Sequence, residues 1–185
     1  MRVLAISGSL RAASINSVLL RTAARLALPD MEIILFRGVG DLPLFNPDLE
    51  SHVPSQVSAL RREVAAADAL LIASPEYAHG VTGAIKNLLD WLVSFEPFVY
   101  KPVAVLNASP RAHHADDALR ETLRTMSAII IESASISLPL IGANLDEEAM
   151  AASLAISGPL HEVLAALRES IEAGMSVRDP RFPLP

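Results

Sequence analysis

Five short runs of apolar residues, at 3–7, 32–36, 69–74, 103–108 and 128–132, are continuous rather than alternating and read as strands covered on both faces. Between and after them the apolar positions fall at helical spacing, over 15–28, 55–67, 83–95, 116–126 and 146–173, with a break expected near Gly158-Pro159. Strand and helix alternate along the chain. That order predicts an α/β three-layer sandwich, a five-stranded parallel sheet with helices on both sides. Local signals agree: Pro54 and Ser55 open the second helix, Asp116 is the expected cap of the fourth, and Asp146-Glu147-Glu148 put negative charge at the positive end of the last.

Ligands of such sheets bind in the crevice outside the strands' carboxyl ends, where three loops, 8–16, 75–80 and 109–115, meet. A longer loop over 37–53, with Gly38, Gly40, Pro43 and Pro47, flanks them and is expected to wall a site or an interface. The first loop reads Gly8-Ser9-Leu10-Arg11-Ala12-Ala13-Ser14-Ile15-Asn16. Its hydroxyls, amide, guanidinium and helix N-terminal N–H groups suit a phosphate monoester, although a tight turn with an N-cap would use similar residues. The second reads Pro75-Glu76-Tyr77-Ala78-His79-Gly80. Pro75 stiffens it, Tyr77 offers an aromatic surface, and a flat heterocycle could lie against its backbone. Helical spacing alone accounts for Leu88 and Trp91 as core residues. His113-His114 are adjacent, so their rings are expected to diverge into solvent, and His79 reads as a simple loop residue.

Composition narrows the chemistry. Hydrophobic residues make up 51% and charged residues 19%, so the chain folds around a core, and no apolar stretch reaches the roughly 18 residues of a membrane span. A net charge of −6 without a basic stripe argues against nucleic acid or an anionic membrane as partner. With no Cys, redox chemistry requires an organic cofactor. The Gly-x-Gly-x-x-Gly of dinucleotide folds, the P-loop and the Gly-x-Ser-x-Gly hydrolase elbow are all missing. Met1-Arg2 runs directly into the first strand, so the expected location is cytoplasmic. The expected organisation is one domain over 1–176 and a tail over 177–185 with three prolines.

Two motifs taken together resemble the NADPH-dependent FMN reductase family, a flavodoxin-like group that includes quinone, azo-dye and chromate reductases. They are Gly8-Ser9-Leu10-Arg11 with Ser14 and Asn16, and Pro75-Glu76-Tyr77 followed by Gly83, Lys86-Asn87 and Asp90-Trp91, and the likeness runs from Met1 to about Ile141. The resemblance implies a sheet of order 2-1-3-4-5, FMN as cofactor and NADPH or NADH as electron donor. Ser9, Arg11, Ser14, Ile15 and Asn16 would then hold the FMN phosphate end, while Pro75, Glu76, Tyr77, Ala78 and Ser109 would line the isoalloxazine. The reaction implied is reduction of a small acceptor: a quinone, an azo compound, free flavin or a metal oxyanion. Because the cofactor carries the chemistry, no catalytic acid or base and no metal ligand is assigned. A homodimer or homotetramer, with flavin sites near the subunit interface, is also implied.

Two departures stand out. Ala78 occupies a position where the family often has Asn, and Pro110-Arg111-Ala112-His113-His114 replaces a loop that commonly carries Gly-Gly. The alternative to an enzyme is a flavodoxin-type FMN-binding electron carrier or regulator. Mild overall acidity, with Arg11, Lys101 and Arg111 on or near these loops, favours an enzyme accepting an anionic nicotinamide cofactor. The aromatics of 95–100 are expected near the crevice rim.

Overall fold

The first apolar run pairs along both of its edges. In the computed structural model, which describes every residue except 12, 141, 143 and 178–185, with 175–177 as backbone only, β1 (Arg2–Ser7) lies between β2 (Glu32–Leu35) and β3 (Ala69–Ala73). β4 (Pro102–Asn107) follows β3 and β5 (Ile129–Ile130) closes the order 2-1-3-4-5, all pairs parallel. The expected fifth strand is interrupted. A 3-10 turn over Glu132–Ala134 separates β5 from β6 (Ile136–Ser137), which also pairs with β4. At the interruption the Ser135 hydroxyl accepts from the Val105 N–H and donates to the Ile131 carbonyl, a side chain standing in for one rung of the ladder.

Side chains leave each central strand on alternate faces, which divides the core in two. Val3, Ala5, Leu71, Ala104 and Leu106 pack beneath α1 (Ile15–Arg25), α5 (Glu147–Ala152) and α6 (Leu154–Val177). Leu4, Ile6, Leu70, Ile72, Val103 and Val105 pack beneath α2 (Ser55–Ala66), α3 (Gly83–Asp90) and α4 (His113–Thr125). Trp91 and Leu88 are fully buried in the second layer. The Trp91 indole N–H also donates to the Pro43 carbonyl at 2.7 Å, a tie between α3 and the long loop.

Three expectations are corrected. The last helix breaks at Ser153, which has extended backbone, and not at Gly158-Pro159. Pro159 lies early in α6, where it removes only the bond its N–H would have made to Ala155. The segment 95–100 and Lys101 sit at the opposite edge of the sheet from the crevice: they lead into β4, and Lys101 Nζ donates to the Ala67 carbonyl just before β3. Phe98 is core there. Finally, α4 starts at His113 and Asp116 is not its cap, for a reason that lies in the site. The Asp146 expectation holds, since its side chain accepts from the Ala149 N–H at 2.8 Å. The expected tail falls almost entirely outside the described residues.

Candidate active site

The register aligns Ser7 with Ala73 and Ala73 with Leu106, so β1, β3 and β4 end level and their loops open together. They enclose a cavity of about 360 Å³, within the range of small-molecule sites. Nine of the ten residues expected from sequence line it: Ser9, Arg11, Ser14, Ile15, Asn16, Pro75, Glu76, Tyr77 and Ser109. Ala78 does not. Ser74, Asn107, Ala108, Arg111 and Ala112 line it as well, and of these only Arg111 drew attention in the sequence, as a nearby cation. The loop 37–53 does not line the cavity. Asn87 clamps it to α3 instead, accepting from the Phe45 N–H at 2.8 Å and donating to the Pro43 carbonyl at 3.0 Å.

The first loop is fixed from below by hydroxyls. Ser7 Oγ lies 2.8 Å from Ser17 Oγ and accepts from the Ser9 N–H, while Ser9 Oγ accepts from the Arg11 N–H. Buried Thr82 donates from Oγ1 to the Gly8 carbonyl at 2.7 Å and accepts from the Ile85 N–H, joining this loop to the start of α3. Gly8 is required by close approach, because a Cβ there would lie 2.1 Å from Ser74 Oγ. Above these supports the binding groups are left unused. Ser14 begins α1 without capping it, Arg11 has no ion pair among the described residues, and the buried Asn16 Oδ1 has no hydrogen-bond partner. A buried amide oxygen without a partner costs about 1–3 kcal/mol, so this arrangement fits a site that a ligand completes.

The second loop is a tight hairpin turn. Tyr77 and Gly80 exchange both backbone hydrogen bonds, and Ala78 and His79 between them have φ of 51° and 58°. Positive φ at both central positions is the signature of a type I′ turn, which favours Asn-Gly. Ala78 is therefore placed where Asn relieves backbone strain, which gives a physical reason for the family preference. Ala78→Asn is expected to stabilise the fold by about 1 kcal/mol, read as a higher denaturation midpoint. A midpoint that is unchanged or lower would mean that the turn carries no strain at this position.

Glu76 explains the early start of α4. Its Oε2 accepts from the Ala115 N–H at 2.9 Å, capping the helix across a separation of 39 residues. Asp116, freed from that task, accepts from Arg120 Nε at 2.7 Å. In the third loop Asn107 accepts from the Ser109 N–H and donates to the Ala112 carbonyl, holding the turn that faces the cavity. His113 and His114 do not diverge: their ring centroids are 4.0 Å apart, and His79 packs edge-on against His114 at 4.5 Å.

Three loops open on one crevice at the edge of a 2-1-3-4-5 sheet, and the comparisons with known proteins agree on what such a chain is. The model of the NADPH-dependent FMN reductase family matches residues 1–141. The chain belongs to that family. It is 37% identical over 162 residues to the NAD(P)H-dependent FMN reductase of Pseudomonas aeruginosa, covering 80% of this chain and 87% of that protein. It is 34% identical over 113 residues to the quinone reductase of Escherichia coli, covering 59% and 60%. Among solved structures, the flavoenzyme NAD(P)H:(acceptor) oxidoreductase of Paracoccus denitrificans superposes with a TM-score of 0.77 at 30% identity, covering 93% of this chain and 97% of that one. As a member of the NADPH-dependent FMN reductase family, the protein is an oxidoreductase of flavodoxin-like fold that uses FMN and NAD(P)H to reduce small acceptors. No described helix is long and apolar enough to cross a membrane.

Proposed function

We propose that the crevice binds FMN with its phosphate in the first loop and its ring system between the second and third, and that a quinone-type small molecule is reduced at the open face. The buried Asn16 amide oxygen, which has no hydrogen-bond partner, carries this reading. Turned by half a rotation, the same amide offers an N–H donor, so it serves either a phosphate oxygen or a ribityl hydroxyl. Ser9 and Ser14 hydroxyls and the Arg11 guanidinium supply the remaining donors. Pro75, Glu76, Tyr77 and Ser109 bound the ring side of the cavity, where the hairpin and the Asn107-held turn fix the distance between the walls. Bound FMN would supply hydride acceptance from NAD(P)H and electron delivery to the acceptor. The chain's own part is to orient, to hold a narrow slot and to limit access.

Titration of FMN and of riboflavin into the protein tests the assignment. The phosphate loop predicts that FMN binds at least tenfold more tightly than riboflavin, the minimum for losing charge-assisted hydrogen bonds. Equal affinities would remove the phosphate from the first loop.

A cytoplasmic homodimer or homotetramer completes the proposal. The oligomer is supported by Leu10, Leu44 and Tyr77, on the loops that border or flank the crevice, which are 64%, 83% and 61% exposed and suit burial against a second copy. Sedimentation of the protein at the mass of a monomer would overturn the oligomer.

A further inference from the structure

Beside the crevice, one imidazole from the second loop and two from the first turn of α4 stand together at the surface. His79 and His114 meet edge to face and His114 stacks obliquely on His113, and all three are exposed. None lines the cavity, but each lies within two residues of one that does: His79 follows Tyr77, and His113 and His114 follow Ala112. Of the nearby acidic groups, one touches this cluster and another is engaged elsewhere. Glu76 accepts from the Ala115 N–H and lies 3.5 Å from His79 Nδ1, and Asp116 is held by Arg120. Asp117, one turn along α4, forms no ion pair with the three histidines.

Donors are left in excess. Arg111 is exposed and forms no ion pair among the described residues, and the His113 and His114 N–H groups at the start of α4 have no described acceptor. His79 Nδ1 faces Glu76 at 3.5 Å, whereas the exposed His113 and His114 rings have no described hydrogen-bond or ion-pair partner and are open to a molecule arriving from solvent. Such a rim offers two contacts at once: a ring face for stacking and an N–H or guanidinium for a negatively charged oxygen.

We propose that His79, His113 and His114, together with Arg111, form a recognition rim for planar aromatic acceptors bearing an ionised oxygen, such as hydroxyquinones. The proposal rests on the FMN crevice described above, since the acceptor must stand at its mouth. A neutral quinone gains the stacking contact alone. An ionised one gains the charge-assisted hydrogen bond as well, and discrimination between the two is set by these side chains rather than by the cavity.

The test compares 1,4-naphthoquinone with 2-hydroxy-1,4-naphthoquinone, a vinylogous acid ionised at neutral pH, in the parent protein and in a His79→Ala/His113→Ala/His114→Ala variant loaded with FMN. In the variant, KM and the calorimetric Kd for the neutral compound are expected to rise a few-fold, for the lost stacking contact, and those for the hydroxylated compound roughly tenfold more than that. His113→Gln/His114→Gln, which keeps N–H donors, should recover part of the preference. Equal shifts for both quinones, or none, would overturn the rim. A shift confined to the KM of NADPH would also overturn it, assigning these donors to the nicotinamide cofactor's phosphates. FMN titration of both proteins separates the two readings: FMN binding absent from the parent defeats the crevice assignment, whereas intact FMN binding without quinone discrimination defeats only the rim.

Discussion

Gly8→Ala is expected to lower stability by about 1–3 kcal/mol, the range for forcing extra volume into a close-packed position, and to weaken FMN binding roughly tenfold or more. The added Cβ would lie 2.1 Å from Ser74 Oγ, 2.6 Å from Ser74 Cβ and 3.1 Å from its Cα, so the first and second loops must separate to admit it. Gly8 also presents its carbonyl to Thr82, and that bond would stretch as the loops part. Removing the clashing side chain in a Gly8→Ala/Ser74→Gly double variant should recover much of both losses, as expected for substitutions that share a contact. Thermal or urea denaturation with FMN titration reads the two effects. Additive effects of the two substitutions would show that the loops do not press on one another at this point.

Arg11→Ala is expected to weaken FMN binding by about 1.5–3 kcal/mol, on the order of ten- to a hundredfold, because a charge-assisted hydrogen bond is lost while the rest of the loop is kept. Arg11 is exposed, lines the cavity and has no ion pair among the described residues, so its removal costs the fold little. Riboflavin affinity should be unchanged in the same variant, since riboflavin has no phosphate to lose. Arg11→Lys should recover only part of the affinity, because an ammonium lacks the planar two-pronged geometry of a guanidinium. An unaltered FMN affinity in Arg11→Ala would take the phosphate out of this loop.

The parts of the structure that were legible in the sequence are those governed by local pattern. Short continuous apolar runs such as 69–74, bounded by turn residues, read as strands covered on both sides, and β3 is buried throughout. The loops after β1, β3 and β4 follow from the topology, which is why the expected binding residues gather at one cavity. What escaped is held by contacts distant in sequence. Asp116 looked like a helix cap because it is the nearest acidic residue, but the cap comes from Glu76 in another loop. Asn107, a buried strand end in the sequence, proved to shape the third loop with its amide. Lys101 and the aromatics of 95–100 were misplaced because charge and aromaticity alone do not say which edge of a sheet a residue occupies. Neighbours inside a helix diverge, but His113 and His114 open theirs: the two rings lie together and His114 meets His79 of the second loop.

The visible spectrum of the FMN-loaded protein, recorded anaerobically before and after NADPH is added, tests the account most directly. The account predicts a yellow bound flavin that bleaches with NADPH and regains its colour when a quinone is supplied. A flavin that stays bound and yellow in the presence of NADPH, or a protein that takes up no FMN, would contradict it.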